Sequence, residues 1–193
     1  MAPRKPARKS AAPRAPALAA TATTVRAKPG PKARPAAARS RAAAVDVSLS
    51  LGVPADGLPD EAAFRAWVAA AVGRQRRAAE VSLRIVDAAE AQAINRQYRH
   101  RDYATNVLSF PADLPPDLGI PLIGDLVLCA PVIAAEAKAQ GKPLFEHWAH
   151  LTVHGTLHLL GHDHETPAEA RDMEALEIQV LESIGIQDPY QAR

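Results

Sequence analysis

The chain is short of several things, and each shortage excludes something. It has one cysteine, Cys129, in 193 residues. No intrachain disulfide can form, which suits a reducing, cytoplasmic compartment and removes any disulfide-stapled scaffold. Cys129 sits in an apolar, strand-like run and reads as a small core residue rather than a nucleophile. No stretch of eighteen apolar residues occurs, so no membrane-spanning helix is expected. Aromatic residues make up 4% of the chain, and none falls in the first 44 residues. Acids are missing there too. Residues 1–44 hold 11 of the 23 Lys and Arg and no Asp or Glu, a charge of +11; residues 45–193 carry the other 12 with all 21 acids, a charge of −9. The net charge of +2 averages two unlike objects.

Seven prolines (Pro3, Pro6, Pro13, Pro16, Pro29, Pro31, Pro35) interrupt any helix in the first segment. Low hydrophobicity with charge of one sign cannot support a core. The expectation is a disordered basic Ala/Pro/Arg/Lys tail over 1–44 and one folded domain over 45–193. The tail lacks the continuous apolar segment of a signal peptide. It is either a solvated extension or a non-specific arm for RNA phosphates, with a targeting segment and a start-site artefact open beside them.

Within the domain, Val45 to Leu51 alternates with period two, as a half-buried strand does. Asp60 is an N-cap for a helix through Phe64, Trp67, Val68 and Val72. Glu80 to Val86 forms a second strand, and Asp87 caps a helix running to about Arg99. Asn106 to Phe110 is a third strand, stopped by Pro111, with an Asx turn at its start. A Pro-rich loop over 112–121 leads to a fourth strand, Leu122 to Cys129, with Gly124 as a bulge or close-approach point. Pro131 opens a helix that ends near Gly141. A histidine-bearing helix covers about 143–160. Pro167 opens the last, with Met173, Leu176, Val180, Leu181 and Ile184 at helical spacing. Its outer face is read as acidic: Glu165, Glu169, Asp172, Glu174, Glu177 and Glu182 against Arg171. The fold class that follows is α/β (α+β): a small mixed four-stranded sheet with about five helices, the histidine helix central.

The least probable stretch is His154-Gly-Thr-Leu-His158-Leu-Leu-Gly161-His162-Asp163-His164. Its surrounding helix is apolar almost all the way round (Leu144, Phe145, Trp148, Leu151, Val153, Leu157, Leu159, Leu160), as a buried helix is. Only the stripe His147, His150, His154, His158 breaks it, and buried imidazoles need partners. His154 and His158 lie one turn apart on one face. Residues 150 and 158 are about 12 Å apart along a helix, too far for one ion bonded at about 2.0–2.1 Å. Gly161 can end the helix at positive φ and return His164 to the pair. Three imidazoles and a fourth position for water match catalytic zinc rather than structural zinc. His-x3-His-x2-Gly-x2-His is also a metalloprotease spacing, which favours His164 over His162. One zinc ion on His154, His158 and His164 is expected, with His150 and His162 in supporting roles. The protease pattern places a glutamate base directly after the first His; Gly155 stands there, so a peptidase loses its base.

The segment from Asn95 to Tyr103 is the densest basic patch of the acidic domain. Arginine matches phosphate geometry and aromatic rings stack on bases; a solvated helix end complementing its dipole is the plain alternative. Taken together, the His154–His164 motif, Tyr98-Arg99-x-x-Asp102, Thr105-Asn-Val-Leu-Ser-Phe-Pro111, Gly124-Asp125 and Asp188-Pro-Tyr190 resemble the YbeY family of bacterial endoribonucleases, in order and spacing, across about 45–193. The tail has no counterpart in the resemblance.

The resemblance implies a zinc-dependent, single-strand-specific endoribonuclease acting in rRNA maturation, at the 3′ end of 16S rRNA, and in ribosome quality control. It implies single-stranded RNA, rRNA and the ribosome or its small subunit as partners; no membrane partner and a monomer are expected beside it. It puts zinc on His154, His158 and His164 and makes Arg99 catalytic beside them. Whether a zinc-held hydroxide acts alone or Asp163, Glu165 or His162 shuttles the proton stays open, as does whether the 2′-OH or water attacks. Two other readings stand against this one: a non-enzymatic ribosome-assembly factor whose zinc stabilises the fold, and a zinc peptidase or amidase.

Overall fold

In the computed structural model the described residues are 43–73, 75–115 and 118–191. The basic tail expected over 1–44 therefore lies, but for its last two residues, outside the described residues. Four strands form the sheet: β1 (Ala44–Leu51), β2 (Ala78–Val86), β3 (Val107–Pro111) and β4 (Leu122–Cys129). Their order is β1-β2-β4-β3. β1 and β2 pair in parallel, as do β2 and β4, and β3 runs antiparallel to β4. The sheet is small, four-stranded and mixed, and five helices accompany it: α1 (Glu61–Val72), α2 (Ala88–Arg99), α3 (Ala130–Ala139), α4 (Leu144–Leu159) and α5 (Pro167–Ser183).

Local chemistry sets the boundaries. Asp60 and Asp87 cap α1 and α2, accepting from the N–H groups of Ala63 and Glu90 at 2.8 Å each. Thr166 and Glu169 form a reciprocal capping box on α5, with Pro167 in its first turn. Pro111 belongs to β3 rather than stopping it. β3 is an edge strand, where a missing N–H breaks no ladder. Gly124 sits at φ 142, in a register shift between β2 and β4. A Cβ there would lie 2.2 Å from the Phe110 carbonyl oxygen, so the close approach of β4 to β3 needs glycine.

α4 is the hub, touching α1, α3, α5, β3 and β4. Trp148 stands edge-on to Phe64, which stands edge-on to Trp67, and all three are buried. Thr152 and Thr156, fully buried, donate to the carbonyls four residues back, so neither hydroxyl is orphaned. The expected all-round apolar burial fails at the start of the helix. Leu144 and Phe145 are 40% and 55% exposed, although Phe145 stands edge-on to Trp67. No described helix is long and apolar enough to cross a membrane. Cys129 is buried, and burial pushes its thiol pKa up, away from nucleophilic use.

Candidate active site

α4 carries His154 and His158 on one face, with ring centres 4.7 Å apart and their Nε2 atoms at 3.2 Å. After Leu160 the chain reverses in a Schellman motif: Gly161 N–H bonds to the His158 carbonyl and His162 N–H to that of Leu157, each at 3.0 Å. Gly161 takes φ 93, the conformation that closes this motif. The reversal sets the His164 ring 5.5 Å from that of His154 and 5.0 Å from that of His158. One nitrogen from each of the three histidines lies within 4.8 Å of the others, a group that could hold a metal ion. His162 lines the same site but stays out of the cluster, with its Nε2 3.3 Å from the Gln75 amide oxygen.

The donor set fits a metal. Nitrogens bonded at about 2.0–2.1 Å to one tetrahedral ion stand roughly 3.3 Å apart, close to the observed 3.2 Å between His154 and His158. His154 Nδ1 lies 2.5 Å from Glu177 Oε1. With that nitrogen donating, the lone pair sits on Nε2, toward the other two rings. Burial lowers the pKa of His158, helped by the neighbouring His154 and His164, and so favours the neutral imidazole that metal binding requires.

Glu177 corrects the sequence reading. The sequence puts it on an acidic outer face of α5, yet it is 0% exposed. Its carboxylate accepts from His154, from His150 Nε2 at 3.3 Å and from the Tyr190 hydroxyl. Burial alone would raise its pKa; the hydrogen bonds from His150, His154 and Tyr190 outweigh it and hold the carboxyl down to about 2. The same burial and the same carboxylate push the Tyr190 hydroxyl pKa up. A sequence signal existed. Glu177 is four residues past Met173 and three before Val180, in phase with the apolar stripe. Glu136 is a second carboxylate that spacing alone does not reveal. It accepts from Asn106 Nδ2 at 3.1 and 3.2 Å and lies 3.0 Å from Nε2 of buried His147.

The three histidines open into a cleft of about 760 Å³ shared with Arg99, Arg101, Tyr103, Asn106 and Ser109. Arg99 stands at the C-terminus of α2, and its Nη2 donates to the Ser109 carbonyl at 3.1 Å, laying the guanidinium along β3. His100 takes the left-handed conformation (φ 57) that ends α2 and turns the chain along the cleft. Asn106 Oδ1 accepts from the N–H of the next residue, Val107, at 2.7 Å, not from two residues on as the expected Asx turn would. The acids of the cleft are Asp163 and Glu165, and Asp163 already accepts the His164 N–H at 2.8 Å. Gly155 packs against the sheet: a Cβ there would meet Leu126 Cδ2 at 2.8 Å, Val107 Cγ2 at 3.1 Å and Ser109 Oγ at 3.2 Å. The position after the first histidine is packed on the sheet, so no side-chain base fits there.

The family model described as endoribonuclease YbeY matches residues 59–185. A Stenotrophomonas maltophilia protein named endoribonuclease YbeY is 57% identical over 148 residues, 75% of this chain and 92% of the relative. Proteins of that name from Xanthomonas axonopodis pv. citri and Xylella fastidiosa are 57% and 56% identical over the same shares. Among solved structures, the solution structure of TM1509 from Thermotoga maritima aligns at a TM-score of 0.44 and 20% identity, over 76% of this chain and 99% of that one.

Proposed function

This chain belongs to the endoribonuclease YbeY family, and from that premise we propose that the histidine cleft is the active centre of a zinc-dependent, single-strand-specific endoribonuclease. Its setting is rRNA maturation, at the 3′ end of 16S rRNA, and ribosome quality control, with single-stranded RNA and the small ribosomal subunit as partners of a monomeric, cytoplasmic enzyme. The observation that carries this reading is the convergence of His154, His158 and His164 in one cleft with Arg99.

His154, His158 and His164 would hold the ion through neutral imidazoles, leaving a position for substrate or water. A bound zinc supplies Lewis acidity, easing proton loss from water at neutral pH and drawing charge from a phosphoryl oxygen. The chain's own groups do the rest. Glu177 keeps the His154 proton on Nδ1 and the lone pair facing inward. Arg99, anchored by the Ser109 carbonyl, presents a permanent positive charge and a planar donor fork to the phosphate. Its role is to stabilise charge that grows as the phosphorus becomes pentacoordinate. Asp163 and Glu165, the carboxylates of the cleft lining, and His162 beside them are the groups that could shuttle the proton. The packed Gly155 tells against a peptidase of the related spacing.

The tail over 1–44, with eleven basic residues and no acid, adds salt-sensitive attraction to RNA phosphates. Deleting it is expected to weaken RNA binding at low salt and leave the domain's melting temperature unchanged; equal affinity at every salt concentration removes this role. The test of the activity is cleavage of matched single-stranded and duplex RNA, with and without chelator. Metal-dependent cleavage of the single strand is expected. Cleavage that survives chelation, or that ignores strandedness, defeats the proposal.

A further inference from the structure

The chain has two Trp, three Tyr and three Phe, and seven of these eight rings have a ring partner. Phe64, Trp67, Trp148 and Phe145 meet edge to face. Tyr98, although exposed, stands edge-on to Phe110. Tyr190 packs on His150 while its hydroxyl donates to Glu177. Tyr103 alone has no ring against it among the described residues. It is 51% exposed, and it lines the same cleft as Arg99 and the three histidines.

The segment that carries it is held from three sides. Asn95, itself 2% exposed, donates Nδ2 to the Tyr103 carbonyl at 2.8 Å. Gln92 Nε2 donates to Asp102 Oδ1 at 3.0 Å. Arg101 Nη1 donates to the Tyr103 hydroxyl at 3.1 Å and so fixes the far end of the ring. The buried Asn95 amide, by anchoring the Tyr103 carbonyl, sets the ring's place at the cleft. An aromatic side chain held half in water offers a large flat surface that loses little rotamer entropy when something lies on it.

We infer that Tyr103 is a base-stacking platform, on which one nucleobase of single-stranded RNA lies while the neighbouring backbone runs past Arg99 toward the histidine cluster. This rests on the RNA reading above. The chemistry suits an unpaired strand. Every base has a π face, so stacking on tyrosine tolerates sequence, whereas bases in a duplex are already stacked on both faces and cannot splay onto a protein ring. The Arg101 guanidinium beside the hydroxyl extends the platform and faces the phosphates. Tyr103 is a substrate-positioning residue and a source of single-strand preference; bond cleavage belongs to the other side of the cleft.

The test uses the full chain loaded with zinc and a short single-stranded oligoribonucleotide, supplied intact and as a series with one abasic site at each position in turn. In the parent, removing the stacked base lowers kcat/KM about tenfold, the scale of one base–aromatic stack. Tyr103→Ala lowers kcat/KM on intact RNA by a similar factor, retains zinc and melting temperature, and loses nothing more at that abasic position. Tyr103→Phe and Tyr103→Trp, which keep the ring, stay within about threefold of the parent, below the loss of a whole stack. An Ala variant that cleaves intact RNA as the parent does overturns the inference and leaves the nuclease reading standing. Losses from Tyr103→Ala and from every abasic site that multiply independently overturn it as well. A parent that cleaves no RNA overturns both.

Discussion

The four histidines of α4 recur at steps of three and four residues, yet the first pair and the second pair meet different company. His147 and His150 each set Nε2 against a carboxylate, Glu136 of α3 and Glu177 of α5. His154 and His158 turn Nε2 toward each other at 3.2 Å and toward the ring of His164. His154 is the joint between the pairs, with Nδ1 on Glu177 and Nε2 in the cluster. The same side chain at the same spacing thus serves two ends, and the element packed opposite decides which. Carboxylates from neighbouring helices tie up the first pair. Past residue 154 the helix faces an open cleft, and a third imidazole arrives by way of the turn at Gly161.

The strongest way to break that contrast is to remove the metal. Chelation is expected to abolish RNA cleavage and to lower the melting temperature by several degrees, since an ion bound only by the folded state stabilises it by linkage. Differential scanning fluorimetry with and without chelator measures the second effect; an unchanged melting temperature would take zinc out of the fold-stabilising elements.

Next in size is Arg99, across the cleft from the cluster. Arg99→Ala should lose roughly 10²–10³ in cleavage rate, the usual cost of one such donor, while keeping zinc and the melting temperature. Arg99→Lys should recover only part, having no planar fork. Single-turnover kinetics on single-stranded RNA would show it, and a parent-like rate in the Ala variant would make Arg99 an ordinary helix-end residue.

Glu177 couples the pairs, so weakening it sharpens the comparison. Glu177→Gln keeps the shape but removes the charge that holds the His154 proton. Zinc affinity should fall by about 10–100-fold, as for other carboxylates behind a ligating histidine. A competition titration against a chromophoric chelator reads the change directly. Affinity equal to the parent's would reduce Glu177 to a packing role.

The smallest effect concerns His147. Burial lowers its pKa, against the raising influence of Glu136, with His150 and Lys142 lowering it further. The unfolded chain therefore takes up a proton before the folded one does. This histidine's contribution to stability is complete above its unfolded pKa of about 6.5 and is lost as pH falls below that value, at no more than about 1.4 kcal/mol per pH unit. Urea unfolding between pH 7 and 5, in chelator so that metal release plays no part, should show a shallower pH slope in His147→Gln than in the parent.

Much of this arrangement is legible in the chain. The caps at Asp60 and Asp87, the close approach at Gly124 and the reversal at Gly161 are local chemistry, and local chemistry is written in adjacent residues. The spacing of His154, His158 and His164 is local in the same sense, and the structure brings those three together. What escaped is what depends on a distant partner. Glu177 has the charge of a surface residue, and only its phase with Met173, Val180 and Leu181 betrays that it is buried. Gly155 shows in sequence only as a missing base; its packing on Leu126 and Ser109 comes from strands distant in the sequence. Leu144 and Phe145 look like core, but nothing packs over the first turn well enough to cover them.

The account stands most directly on which histidines hold metal, and zinc content per chain across single alanine variants measures that. After equilibration at limiting free zinc, His154→Ala, His158→Ala and His164→Ala should lose the bound ion. His147→Ala and His162→Ala should keep it, and His150→Ala should keep it with reduced affinity. Full zinc in His164→Ala, or its loss in His162→Ala, would contradict the division between the two ends of α4 and the site built upon it.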